Sequence, residues 1–423
     1  MFPSSEAALP TPSLGYRPLV VILLSPLAFA LVFACWTIFA VLGVELHSNL
    51  GLSELAFAGL LASPMLSGAL VSLPAARLAE RIGGQRVMIA CLWLVCPFLW
   101  WIGQAQHYIE FLLAGAGLGL GAGTLVAGLV RVATWGPSRH AGLALGLYGA
   151  GMLGAGLSYL LLPLVSQAYG WRLAPTLYLL LIVMVALLLW LFADDSASTV
   201  SPRELPPRYR TWLPSCWAAR RLAFYYSFFF GAFVALALWL PGYLAAQYHL
   251  PLASAALWAL TFTLSCGLGQ ILGGALADWR NFRSLRWWVG LWVLACLFWL
   301  SYPSFSINIQ GVQDDLTFSF HMPLWGFVTL VGSMGLAMGI GKGSLMRLIH
   351  RDHGDDMARV GGLALALGGA FAAMLPLMFA LGDTWGGIRT AGFMFLYAAL
   401  GVCMLVMLWE QLHAHDYMPE SMT

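Results

Sequence analysis

Long apolar stretches separated by short polar breaks run along the whole of this 423-residue chain. A hydrocarbon core of roughly 30 Å takes ~20 predominantly apolar residues to cross as a helix. Backbone polar groups inside lipid must be satisfied within the segment, so such stretches are helical. The pattern predicts twelve spans, at about 18–44, 55–79, 86–105, 108–133, 142–166, 173–193, 222–246, 254–278, 286–304, 323–349, 359–382 and 389–410. Residues 1–17 form a Pro- and Ser-rich tail. The first apolar run is too long for a signal-peptide core and reads as an uncleaved span.

The breaks are informative. Residues 194–221 hold Pro202, Pro206, Pro207 and Pro214 with five arginines, which is the composition of a linker. It divides the chain into a first six-helix half, 18–193, and a second, 222–410, with a tail at 411–423. The two halves also resemble each other. Gly119-Leu-Gly-Ala-Gly-Thr-Leu125 matches Gly339-Ile-Gly-Lys-Gly-Ser-Leu345, and Gly142-Leu-Ala-Leu-Gly-Leu-Tyr-Gly-Ala150 matches Gly362-Leu-Ala-Leu-Ala-Leu-Gly-Gly-Ala370, both at an offset of 220. Arg139 and Arg359 stand three residues ahead of the second pair. The expected fold is therefore an all-α membrane protein of two pseudo-symmetric halves. In such parallel-repeat architectures the substrate site lies near mid-membrane, at the interface between the halves.

Composition agrees: 61% of residues are hydrophobic and 9% charged, far too few charges for a soluble domain of this length. The net charge of +2 says little, but its placement says more. With the N-terminus on the cytoplasmic side, 18 of the 20 Lys and Arg fall on or near that side, and only Arg172 and Arg389 fall outside. Positive-inside asymmetry therefore places both termini in the cytoplasm, and the membrane expected is an inner (cytoplasmic) membrane or a compartment derived from it. The partners expected are a lipid bilayer and a small or ionic solute. No basic patch interleaved with aromatics points to nucleic acid. The seven cysteines mostly lie within apolar stretches and read as free thiols. There is no nucleotide-binding loop, cofactor motif or nucleophile–base pair, so no enzyme and no cofactor is expected, and transport would be secondary.

The loop after the second span reads Arg77-Leu-Ala-Glu80-Arg81-Ile-Gly83-Gly84-Gln-Arg86, and its counterpart after the eighth reads Gly273-Gly274-Ala-Leu-Ala-Asp278-Trp-Arg280. An acid at a helix C-terminus is disfavoured by the dipole unless something compensates it. Neighbouring arginines can do so, which predicts a gate built from Arg77, Glu80, Arg81, Arg86, Asp278, Arg280, Arg139 and Arg359.

These two loops, with the repeat and the linker, resemble the signature loop and plan of the major facilitator superfamily. The resemblance implies that family's twelve-helix fold, alternating access and a protein that works as a monomer. The glycine-rich fourth, fifth, tenth and eleventh spans, carried by Gly149-Ala-Gly151-Met-Leu-Gly154-Ala-Gly156, Pro163 and Gly339-Ile-Gly-Lys342-Gly-Ser344, resemble its nitrate/nitrite porter branch. That branch implies one arginine in the second span and one in the eighth, facing each other across the substrate anion. Here those positions hold Ser72 and Gln270, and Met152 stands where asparagine is common.

Ionisable residues inside a membrane are costly and usually functional. Lys342, the only lysine, is the one such residue well inside a span. It is expected roughly 10 Å from the cytoplasmic end of its helix, at 1.5 Å per residue. Either it replaces the missing arginines as the cation that holds a small anion, or its ammonium snorkels to the interface. No carboxylate or histidine lies near a span centre, which favours exchange or facilitated movement over carboxylate-based proton coupling. Trp36, Thr37, Thr124, Tyr148 and Tyr225 are further candidates for the cavity wall, beside Ser72 and Gln270.

Two other readings stand beside anion transport. His350, Asp352 and His353 in the loop after the tenth span are weak metal candidates, imidazole and carboxylate being suited to divalent ions, and would fit a transition-metal transporter. A non-transporting membrane sensor or assembly factor is the other, although no large soluble domain accompanies the spans.

Overall fold

The computed structural model describes residues 17–135, 140–192, 213–214, 216–279, 285–302, 305–309, 316–320 and 322–416. Within them the first span is α1 (Arg17–Trp36), a 3-10 turn (Ile38–Ala40) and α2 (Leu42–Leu50). The second and third are α3 (Glu54–Ile82) and α4 (Gly84–Gln104). The fourth is α5 (Tyr108–Leu118) and α6 (Ala122–Trp135), joined by a 3-10 turn at Gly119–Gly121. The fifth is α7 (Ala141–Gly149) and α8 (Gly154–Tyr169), joined by another at Ala150–Leu153. Then come α9 (Leu173–Phe192), α10 (Trp217–Tyr248), α11 (Leu252–Trp279), α12 (Leu285–Leu300), α13 (Leu324–His353), α14 (Met357–Gly386) and α15 (Ala391–Asp416).

Nine stretches are long and apolar enough to cross a membrane, one of them, Leu324–Gly386, folding as two helices; two shorter apolar helices, Val20–Trp36 and Leu285–Leu300, complete the twelve. Boundaries depart from the expectation in two instructive ways. Helix α10 begins at Trp217, inside the expected linker, and α13 runs on to His353, past the expected end of the tenth span. One non-helical pair occurs among the described residues: β1 (Phe305–Ile309) and β2 (Leu316–Phe320) form an antiparallel ladder with Ile307 opposite Phe318. The all-α fold class holds, with this one short hairpin between the ninth and tenth spans.

Chain reversals follow local chemistry. Ser53 Oγ accepts from the Ala56 N–H at 3.2 Å and caps α3. Glu110 accepts from the Gln106 and His107 N–H groups and closes the start of α5. Gly51 and Gly387 leave α2 and α14 in the left-handed conformation, with φ of 58° and 62°, which glycine adopts without steric cost.

Small residues bring helices from the two halves into backbone contact, as in other membrane bundles. A Cβ on Gly274 of α11 would stand 2.1 Å from the Gly142 oxygen of α7. A Cβ on Gly362 of α14 would stand 2.7 Å from the Ala76 Cβ of α3. Two seams, α7 against α11 and α3 against α14, therefore close the arginine-rich end of the bundle. At the opposite end the halves diverge around a cleft of about 400 Å³, lined by His47, Glu54 and Phe57 on one side and Trp239, Tyr243, Phe379, Asp383 and Arg389 on the other.

Candidate functional site

Lys342 is fully buried, at 0% exposure. Because α13 continues to His353, the residue lies roughly 16 Å along the axis from the helix end, not 10 Å. Its ammonium does not snorkel. It turns into the seam between the halves, donating to Sδ of Met152 at 2.8 Å and sitting 4.0 Å from the centre of the Phe233 ring. The Cys266 thiol lies beside it. Met152 belongs to the fifth span, Phe233 to the seventh and Cys266 to the eighth. Among the described residues no carboxylate pairs with Lys342.

Backbone geometry explains how a long cation reaches this position. Cβ atoms on Gly339 and Gly343 would lie 2.1 and 2.2 Å from the Cys266 and Gln270 oxygens. So α13 lies directly on α11 on either side of Lys342, and only glycine permits that approach. Met152 is delivered by the 3-10 turn Ala150–Leu153, which breaks the fifth span between two glycines.

Phe233 is part of an aromatic layer. It stacks on Phe262 at 5.3 Å and tilts against Phe33 at 6.0 Å, which in turn meets Trp36 at 6.2 Å. Trp239, on the cleft wall, is six residues further along α10, about 9 Å. The layer thus stands between the cleft and the ammonium. On its other side a cavity of about 20 Å³, enough for one water, is lined by Tyr148, Gly149, Met152, Tyr226, Phe230 and Gln270, among others.

The remaining candidates divide. Gln270 and Tyr148 line that central cavity; Tyr148 donates to the Leu125 carbonyl at 2.6 Å, and Gln270 Oε1 has no hydrogen-bond partner among the described residues. Tyr226, not Tyr225, joins them; Tyr225 faces a separate crevice with Arg221 and Arg286. Thr124 is buried nearby, its hydroxyl without a partner. Trp36 and Thr37 serve packing within the first half. Trp36 Nε1 donates to the Leu118 oxygen at 3.0 Å, and Thr37 shares a hydroxyl contact of 3.2 Å with Ser158, to which Tyr178 donates at 3.0 Å. Ser72 donates to the Gly68 carbonyl of its own helix at 2.7 Å and lies in the α3–α14 seam. The two positions where the porter branch is expected to carry arginines are therefore both on seams between the halves, on opposite sides of the bundle.

At the arginine-rich end, Asp278 is almost fully buried and accepts from the Gly142 and Leu143 N–H groups, each at 2.9 Å. Its carboxylate caps α7 of the other half, where the helix dipole favours a negative charge. Arg347 Nε completes the set at 2.7 Å. Across the second seam, Arg359 Nε lies 3.5 Å from Glu80, and its Nη2 pairs with Asp356. Among the described residues, Asp278 pairs with Arg347 and Glu80 with Arg359. Arg81 is exposed and makes no ion pair among the described residues, Arg86 is also exposed, and Arg77 acts on Glu80 through its charge. Arg139 and Arg280 lie outside the described residues.

The metal candidates do not converge. Asp352 is held by Arg351 at 2.7 Å and His353 Nδ1 faces Cys216 Sγ at 3.7 Å, while His350 is half-buried elsewhere on α13. Among the described residues no three His, Cys, Asp or Glu side chains come together as a metal site.

Comparison with known proteins accords with this architecture. Residues 24–371 match the family described as Major Facilitator Superfamily. The chain is 32% identical over 407 residues to the "Probable nitrate/nitrite antiporter NarK1" of Thermus thermophilus, covering 92% of this chain and 90% of that one. It is 26% identical over 381 residues to the "Nitrite extrusion protein" of Bacillus subtilis, with 89% and 90% covered. Among solved structures, the human organic anion transporter MFSD10 superposes with a TM-score of 0.67 at 16% identity, over 92% of this chain and 99% of that one, a likeness of fold. The chain is an integral membrane protein and belongs to the major facilitator superfamily.

Proposed function

We propose that this chain is a secondary transporter that moves a small anion of the nitrate/nitrite type by alternating access, with Lys342 as the cation that holds it. The observation that carries the reading is the position of Lys342: fully buried, at the seam of the two halves, with sulfur and ring neighbours and no carboxylate partner among the described residues. A buried charge left without a counter-charge costs several kcal/mol, and a bound anion offsets that cost. The names of the relatives give the class of anion. One cation between the halves would then stand in for the two arginines expected at Ser72 and Gln270. Gln270, Tyr148 and Tyr226 are the polar wall into which the anion would pass.

In this reading the arginine-rich end is cytoplasmic, both termini lie in the cytoplasm, and the protein sits as a monomer in an inner membrane. The halves 18–193 and 222–410 move as two bodies joined by 194–221. The conformation described above has its cytoplasmic seams closed and its outer cleft open. An anion entering the cleft displaces Met152 from Lys342, and opening of the Asp278 and Glu80 contacts releases it on the other side. The lack of a central carboxylate supports exchange of one anion for another.

Proteoliposomes loaded with nitrite and diluted into isotope-labelled nitrate test this. Wild type is expected to exchange the two, Lys342→Gln to lose at least tenfold in rate, and Lys342→Arg to retain part of it. No exchange by wild type, or full exchange by Lys342→Gln, contradicts the reading.

A further inference from the structure

We propose that a second anion site, for a phosphate group, lies at the arginine-rich end of the second half, in the crevice between α10, α12 and α13. It is separate from the Lys342 seam and does not depend on what Lys342 binds. The crevice has a volume of about 190 Å³ and is lined by Arg221, Leu222 and Tyr225 of α10, Arg286 of α12, and Asp352 and His353 of α13. That is room for several waters, and so for a phosphodiester.

Charge and hydrogen bonding point to an anion. Two arginines, Arg221 and Arg286, line the crevice against one carboxylate, Asp352, which Arg351 also holds at 2.7 and 3.2 Å. Arg286 Nε is shielded from solvent and has no hydrogen-bond partner among the described residues, although a buried guanidinium N–H is normally satisfied. A planar guanidinium matches phosphate oxygens two at a time. Helix geometry adds to this. The crevice takes in the first three turns of α10 and the first turn of α12. The residue before α10, Cys216, makes no side-chain capping bond among the described residues, and the first turn of a helix presents N–H groups that favour an anion.

The surroundings indicate the source. Trp217 is 67% exposed, Trp288 69% and Phe224 41%, all on the same helical turns as the crevice. Exposed tryptophans at span ends mark the headgroup level of a bilayer, and basic pockets between spans at that level suit anionic lipid headgroups. A phospholipid phosphate would reach Arg286 and Arg221 while its acyl chains lie against the aromatic flank. Free phosphate shares the same chemistry without the flank.

The test uses the full chain in lipid nanodiscs. Thermal midpoints are read for wild type, Arg286→Gln and Arg172→Gln, the last removing the same charge at the opposite end. Each is measured in phosphatidylcholine alone, in phosphatidylcholine with phosphatidylglycerol, and in phosphatidylcholine with inorganic phosphate. A ligand bound only to the folded state raises the midpoint. The expected result is a rise of several degrees with phosphatidylglycerol for wild type and Arg172→Gln, largely lost in Arg286→Gln. A rise with inorganic phosphate alone that shows the same dependence on Arg286 keeps the site and assigns it to a soluble phosphate. No rise in either arm, or an equal rise in Arg286→Gln, overturns the proposal. Should Arg286→Gln not fold, native mass spectrometry of the wild type decides. Retention of phosphatidylglycerol over phosphatidylcholine, weakened in Arg286→Lys, supports the site, and equal retention of both lipids overturns it.

Discussion

Lys342 Nζ and Met152 Sδ meet at 2.8 Å across the seam between the tenth and fifth spans. A thioether is a weak acceptor, so it holds the ammonium without offering the counter-charge that a carboxylate would. The contact is one an incoming anion can replace. Met152→Asn would place an amide beside the ammonium, as the porter branch commonly has here. Its NH2 can donate to a bound anion, at a net gain of about 1 kcal/mol for one hydrogen bond. Calorimetry is expected to show nitrate binding roughly threefold to tenfold tighter in Met152→Asn. Unchanged or weaker binding would count against an anion at this position.

Asp278 joins three donors from two halves: the Gly142 and Leu143 N–H groups and Arg347. Removing one member of a buried, hydrogen-bonded charge set costs about 3–5 kcal/mol. Asp278→Ala should therefore loosen the α7–α11 seam more than it disturbs either half alone. Hydrogen–deuterium exchange is expected to accelerate at the Gly142 and Leu143 amides, with α9 unaffected. Equal acceleration throughout would indicate general unfolding instead of an opened seam.

The second seam should behave asymmetrically. Arg359 serves both Glu80 and Asp356, so Glu80→Gln removes one of these two ion pairs, whereas Arg359→Gln removes both. The arginine variant is expected to be the less stable of the two. A double-mutant cycle should return a coupling of about 0.5–3 kcal/mol for residues in one network. A coupling near zero would mean that the Glu80–Arg359 contact is incidental.

Glycine substitutions separate packing from composition. A Cβ at Gly343 would stand 2.2 Å from the Gln270 oxygen, while one at Gly401 in α15 meets nothing within 4 Å. Gly343→Ala must push α13 off α11, at about 1–3 kcal/mol for overpacking, and should lower the thermal midpoint and displace Lys342. Gly401→Ala should leave the midpoint unchanged or raise it, by about 0.8–1 kcal/mol of helix propensity at most.

Much of the fold was legible because lipid imposes it. Apolar runs of fixed length gave the twelve spans, and the glycine runs at one offset gave the repeat. Lys342 stood out because a lysine between glycines in an apolar run has few structural explanations. What one sequence does not carry is which side of an apolar helix faces which neighbour. Tyr225 and Tyr226 are adjacent, yet only Tyr226 reaches the central cavity. Helix α10 is apolar nearly all round, so its pattern singles out no face. Nor does the loop around Asp278 show that the seam brings Arg347 to it from the tenth span. The hairpin did leave a signal, the alternation of Phe305, Ile307 and Ile309 with Ser306 and Asn308, which is the period of a strand.

The central claim is that Lys342 holds the transported anion, and binding tests it most directly. Thermal midpoints of purified wild type and Lys342→Gln would be measured against rising nitrate, with chloride keeping ionic strength constant. A ligand that binds only the folded state raises the midpoint with its saturation. The account predicts a saturable rise for wild type and none for Lys342→Gln. The same rise in both proteins would contradict it, because nitrate would then be held without the only lysine in the chain.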